Sequence, residues 1–170
     1  MQVNHMIRSS RPFLAAIVLA LAATGVAHAD TLGAGSAAFS RGDYNNAARL
    51  LLPLAERGNA QAQGMVGFMY ATGQGLPQAY DAAGYWYRQA AEQGDTTAQY
   101  LLGLAYDKGQ GVPQDDVAAY KWLNLAASHA PKRRRDNFAK LRNAVASKMS
   151  DGQIAAGQRH ALRWPQNSLF

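Results

Sequence analysis

One block of sequence occurs twice in this chain, and the duplication restricts the possible folds more than any other feature. Residues 62–94 return as 98–130, each position displaced by 36. Ala62 and Gln63 recur as Ala98 and Gln99, Gly67 as Gly103, and Tyr70 as Tyr106. The turn Gly73, Gln74, Gly75 recurs as Gly109, Gln110, Gly111. Pro77 and Gln78 recur as Pro113 and Gln114, Trp86 as Trp122, and Ala90 and Ala91 as Ala126 and Ala127. A period of roughly 20 to 50 residues marks a stack of supersecondary units, because one such unit cannot bury its apolar face without neighbours.

Within each block the apolar period is helical. Ala83, Trp86, Ala90 and Ala91 share one face at that spacing. The pattern predicts two helices per block, over 60–71 and 79–93, then over 96–108 and 115–129. Leu76 should plug the turn inward, and Pro77 should start the next helix with its φ already set. Asp115 can cap its helix, whereas Ala79 at the equivalent point cannot, leaving the cap missing or shifted to Asp81. Gly67 and Gly103 fall inside helices, at a cost of about 1 kcal/mol each relative to alanine. That cost predicts close approach of a neighbouring helix at both positions. Tryptophan set among alanines predicts knob-and-recess packing between units.

Residues 30–58 read as a degenerate first unit. Ala47, Ala55, Glu56 and Gly58 match Ala83, Ala91, Glu92 and Gly94, and Leu50 stands where Trp86 does. A helix is expected over 44–57, capped by Asp43 and closed by Gly58. Gly33, Gly35 and Ser36 weaken the segment before it, so fraying is expected ahead of Ala37. Arg41, Gly42 and Asp43 spell an adhesion tripeptide, but a hairpin turn needing a glycine and a cap accounts for each residue.

After Ala130 and Pro131 the repeat stops. Residues 132–148 read as a helix with the apolar stripe Phe138, Leu141, Val145 and Met149, opposed by Arg133, Arg134, Arg135, Lys140 and Arg142. Ser150 and Gln153 have capping-box spacing. A last helix over 151–163 would carry Ile154, Ala161, Leu162 and Trp164 as apolar residues and end at Pro165. The two helices would cap the open end of the stack, whose last hairpin otherwise exposes an apolar face.

At the other end, Arg8 and Arg11 precede an apolar run from Phe13 to Ala23, followed by small residues at Ala27 and Ala29. This is a secretory leader pattern. The run is too short to span a hydrocarbon core of ~30 Å comfortably. Cleavage is expected after Ala29, giving an exported, periplasmic mature chain of residues 30–170. No cysteine occurs anywhere, which excludes a disulfide framework, a thiolate metal site and a lipid anchor at the leader's exit. Charge is segregated: residues 30–128 carry net −3 and residues 129–170 net +7. The chain divides into a signal peptide (1–29), a degenerate first repeat (30–58), a second repeat (59–94), a third repeat (95–130) and basic capping helices (131–170).

These motifs resemble the Sel-1-like repeat family, a tetratricopeptide-like group of helical hairpins. The residues that carry the resemblance are Ala98, Gln99, Leu102, Gly103, Tyr106, the run from Gly109 to Asp115, Ala119, Trp122, Ala126 and Ala127, with the preceding repeat matching except at Leu76 and Ala79. The resemblance covers about residues 43–130. It implies an all-α fold, a solenoid of α/α hairpins in a right-handed superhelix. It also implies a scaffold or adaptor holding other proteins, often in the bacterial periplasm. Cysteine-rich members are described as penicillin-binding or β-lactamase-like; this chain lacks the disulfide pairing of those members.

Catalytic patterns are missing from the sequence. His129 and His160 are too far apart for a helical zinc motif. No serine is followed three positions later by lysine. The Gly-Gln-Gly turns lack the preceding strand of a nucleotide site. Asp115 and Asp116 are explained by a helix start, which favours negative charge. The chain therefore reads as a non-enzyme without metal or cofactor, whose function is to bind another protein or a peptide. Counting outward from Leu102, Gly103 and Tyr106, the concave side should hold Thr97, Tyr100, Leu104 and Asp107, and in the previous unit Gln61, Gly64, Phe68 and Ala71. A second reading concerns Lys132, Arg133, Arg134 and Arg135. Four cations at a helix N-terminus oppose the dipole, so contact with an anionic lipid, a polysaccharide or an acidic protein face would explain them. A cell-wall enzyme is the third reading, by family analogy alone.

Overall fold

The computed structural model of the chain describes residues 30–164. The leader with its cleavage point, and the residues from Pro165 onward, lie outside the described part. Among the described residues every regular element is a helix. They are α1 (30–40), α2 (Tyr44–Glu56), α3 (Ala60–Thr72), α4 (Tyr80–Glu92), α5 (Thr96–Lys108), α6 (Asp116–His129), α7 (Lys132–Ala146) and α8 (Asp151–Leu162). From α2 to α6 each helix packs on the next.

The repeat fixes how these helices meet. A Cβ on Gly67 would stand 2.7 Å from Tyr87 Cδ1, and one on Gly103 would stand 2.7 Å from Leu123 Cγ. The mid-helix glycines therefore let the second helix of each hairpin lie against the first, as their placement predicted. The second glycine of each turn serves the contact between hairpins. Gly75 and Gly111 have φ of 75° and 72°, and a Cβ at either would fall on the carbonyl of Tyr44 or Tyr80 in the preceding hairpin.

Two glutamine pairs lock the same geometry. Gln63 Nε2 donates to Ala55 O at 3.1 Å, and Gln99 Nε2 to Ala91 O at 3.2 Å, both in the interior. Each ties the start of one hairpin to the end of the one before it. Gln78 Nε2 donates to Ala71 O, and Gln114 Nε2 to Asp107 O, both at 3.0 Å, satisfying carbonyls that the ends of α3 and α5 would otherwise leave open. The tryptophans act as expected. Trp86, half-buried, packs on the core of α2 and α3, while Trp122 lies in the cluster formed by Ala83, Tyr87, Ala90 and Ala91.

Several local expectations are corrected. Helix α1 does not fray before Ala37. It is continuous through residues 30–40, because Gly35 is no weak point: a Cβ there would stand 2.6 Å from Leu51 Cδ2. It takes the part of Gly67, but the connection to its partner is four residues shorter (16 positions against 20), which hides it from a constant offset. Pro77 does not start α4. The chain stays extended to Ala79 (φ −153°), whose N–H donates to Tyr70 O at 3.0 Å, and Ala79 supplies no side-chain cap. Helix α7 ends at Ala146 rather than Lys148. On α8 the inward residues are Ile154, Gly157 and Ala161, with Trp164 turned inward just past its end; Leu162 is 85% exposed. The capping box at Ser150 and Gln153 forms in full.

The last two helices both pack on α6 rather than forming a further hairpin. Helix α7 continues the row of first helices, with Phe138 and Val145 buried. Helix α8 folds back, with Gly157 against Tyr120 and Trp164 beside Gly94 and Trp122.

Candidate partner-binding groove

Helices α1, α3 and α5 line up as the inner row of the stack, and their side chains interlock along it. Gln61 Nε2 donates to Ser36 Oγ at 3.4 Å, while the Ser36 hydroxyl points at Met65 Sδ at 3.7 Å. The Phe39 ring meets Phe68 edge-on with centroids 5.5 Å apart, and meets Tyr44 at 5.4 Å. Between these helices lies a cleft of about 380 Å³. Its walls are Phe39 from α1, Gln61, Gly64, Met65 and Phe68 from α3, the α5 cap Asp95, Thr97 and Leu101 from α5, and Arg134 from α7. Phe68 and Leu101 continue into a smaller hollow of about 160 Å³, lined also by Ala71, Tyr87 and Leu104.

The residues proposed from sequence separate into two groups. Gln61, Phe68 and Thr97 line the larger cleft, and Phe68 and Leu104 the smaller. Tyr100 and Asp107 are already engaged within the chain. Tyr100 stacks on Phe138 with centroids 4.4 Å apart and planes 19° from parallel. Asp107 Oδ1 is 2.6 Å from Lys148 Nζ, which also stands 2.9 Å from Asp116 Oδ1. The two carboxylates raise the pKa of Lys148, chiefly through their hydrogen bonds to it. Helix α7 thus fills the part of the inner face where Tyr100 was expected to be open.

The basic segment also divides. Lys132, Arg133 and Arg135 are exposed at the start of α7, whose N-terminus has no side-chain cap. Arg134, itself exposed, enters the cleft wall and donates from Nη1 to Thr97 Oγ1 at 2.8 Å. The cleft and the basic run, separate in the sequence, meet at this arginine. Met65, Leu101 and Phe39 were missed as lining residues. The first two are 36 positions apart, so a repeated apolar pair beside the groove stripe was the available signal.

A third, polar cleft of about 290 Å³ lies between α4 and α6, with Arg88, Glu92, Tyr106, Lys121 and Trp122 among its walls. Arg88 Nη2 donates to Tyr106 Oη at 2.7 Å, and Lys121 Nζ sits 4.1 Å above the Trp122 ring. Burial lowers the pKa of Lys121. Among the described residues no group of three or more His, Cys, Asp or Glu side chains is placed to hold a metal, and no helix is long and apolar enough to cross a membrane.

Stacked helical hairpins with an inner groove and a terminal cap define an α/α solenoid. Residues 60–95 and 96–130 match the Sel1 repeat family model, so these two hairpins are Sel1 repeats. Two solved structures illustrate the likeness. One is a protective antigen of uropathogenic Escherichia coli strains displaying an SLR fold, with TM-score 0.74 and 26% identity over 81% of this chain and 29% of that one. The other is a Sel1 repeat protein from Oxalobacter formigenes, with TM-score 0.62 and 28% identity over 81% of this chain and 55% of that one. The present chain therefore spans well under two thirds of each of these proteins. No curated protein sequence matches it. Repeats of this kind generally mediate contacts between proteins, and their fold is typically a scaffold rather than a catalyst.

Proposed function

We propose that this protein is an exported adaptor that holds a peptide, or a single helix of a partner, in the cleft between α1, α3 and α5. The observation that carries the reading is the apolar floor of that cleft. Phe39, Met65, Phe68 and Leu101 converge on it, with Gln61 and Thr97 at the rim. Apolar anchors surrounded by polar rim groups are the usual source of affinity for a short segment. The reading includes export through residues 1–29 to the periplasm.

The test is photo-crosslinking in intact cells. A probe at Gln61, on the cleft rim, should capture a protein; a probe at Tyr85, 57% exposed on α4, should not. Capture should fall when Phe68 and Leu101 are both changed to Ala. Equal capture from both positions, or capture indifferent to the double change, would remove the cleft from consideration. Export is checked on the same cells: a periplasmic product whose first residue is Asp30 is expected, and a cytoplasmic product retaining Met1 would refute it.

The basic start of α7 supports a second reading, docking on an anionic envelope surface. Lys132, Arg133 and Arg135 are all solvent-exposed. Attachment of this kind would weaken steeply with salt, because exposed charges are screened beyond about 10 Å at 0.1 M.

A further inference from the structure

We infer that the segment taken up by the cleft is an acidic peptide: a carboxylate side chain against Arg134, followed along the groove by two apolar side chains, one for each hollow. This rests on the reading of the cleft as a partner site, and it names the chemistry of the partner. The first support is the charge at the α7 end. Arg134 donates to a neutral hydroxyl, Thr97 Oγ1, and its guanidinium lies 5.9 Å from the Phe138 ring centre. Among the described residues it is in no ion pair with a carboxylate. A guanidinium held by one hydroxyl still has most of its donors to offer, in a fork that fits a carboxylate.

Asp95, the acid that shares this cleft, is committed elsewhere. Its Oδ1 accepts from Ala98 N at 2.7 Å as the cap of α5, where the helix dipole partly offsets its charge. The uncapped N-terminus of α7 and the neighbouring Lys132, Arg133 and Arg135 add positive potential at the same end. The second support is the contrast along the groove. The smaller hollow, beyond Phe68 and Leu101, has no charged side chain in its walls. A ligand matched to this surface is acidic at one end and apolar beyond it. The concavity favours side chains on a peptide over a bilayer, since a flat surface cannot enter two hollows between helices.

The experiment uses the mature protein and two fluorescein-labelled peptide pools of about twelve residues, a length suited to groove recognition. Both pools carry Leu and Phe at fixed positions; one has Asp and Glu upstream of them and the other has Lys. Anisotropy should show binding of the acidic pool, weakened by added salt, and little binding of the lysine pool. Arg134→Glu should weaken the acidic pool about tenfold and restore part of the lysine binding. Gln61→Glu adds an anion at the exposed rim without touching the core, and should weaken the acidic pool about threefold. Circular dichroism establishes that both variants are folded.

Equal binding of the two pools, with both lost in the Phe68→Ala, Leu101→Ala double variant, would overturn the acidic preference and leave the cleft reading standing. Binding unaffected by that double variant, or no binding of either pool, would overturn both. Phosphatidylglycerol vesicles form the last arm. Vesicle binding that depends on Arg134 but survives the double variant, without acidic-pool binding, would mean a lipid surface and end the proposal.

Discussion

At the scale of single residues, the repeat gives an internal control for each interaction. Gln63 Oε1 accepts from Gln93 Nε2 at 2.7 Å. The equivalent Gln99 Oε1 is buried and meets no donor among the described residues. The difference is one side chain. His129 stands 36 positions after Gln93, and its Nδ1 lies 2.9 Å from Leu125 O, so the ring cannot reach out as the amide does. A buried acceptor without a partner costs about 1–3 kcal/mol. His129→Gln should therefore stabilise the protein by about 1 kcal/mol, raising the melting temperature by roughly 3 °C. The reverse exchange, Gln93→His, should lower it. Thermal denaturation of the two variants decides the matter, and a fall in Tm for both would mean that the repeat equivalence does not extend to these side chains.

At the scale of elements, what could be read from sequence follows from what the repeat controls. The bounds of α5 match the expected span, because its cap Asp95, the glycine at 109 and the periodic alanines act together. Helix α1 was misjudged for the opposite reason: its glycine belongs to a hairpin with a shorter turn, and in isolation it looks like a weakness. The cleft walls were legible in α3, where Gln61 and Phe68 line the cleft, whereas Tyr100 and Asp107 in α5 meet Phe138 and Lys148 instead. Nothing in the repeat states that α7, which has no earlier copy in the chain, lies against that part of the face. The latch at its far end is testable. Lys148 bridges Asp107 and Asp116, and the partners raise its pKa. A raised lysine pKa means that the contribution is complete below about 10.4, the unperturbed value, and lost as pH climbs through the folded-state value. Because Lys148 is 42% exposed, water screens the pair and Lys148→Met should cost no more than about 1 kcal/mol globally. Hydrogen exchange should instead report faster opening at the C-terminal turn of α7 and the start of α8. The effect should vanish at strongly alkaline pH, where the wild-type lysine is also neutral; exchange identical to wild type at pH 7 would mean that the latch holds nothing.

At the scale of the whole molecule, the stack is close to one-dimensional: each hairpin is covered by the next, and the last must be covered by something else. Here α7 and α8 both cover α6, one extending the inner row and the other returning across Tyr120 and Trp122. Removing residues 131–170 would uncover Tyr100, Trp122, Leu123, Ala126 and Ala127, of which all but the half-buried Tyr100 are now buried. Cooperative folding of the earlier hairpins should survive, since their glycine and glutamine contacts are internal to residues 30–130. The exposed face should instead pair with another copy. Light scattering of the truncated chain should then give a mass that rises with concentration, while the mature full chain stays at one mass across the same range. Solvating the same face with Tyr100→Lys, a half-buried position that α7 covers through Phe138, should abolish that rise in the truncated chain. A truncated chain that stays monomeric at every concentration, with its helix content intact, would show that the third hairpin needs no cover. The last two helices would then serve the groove alone, through Arg134 and Phe138.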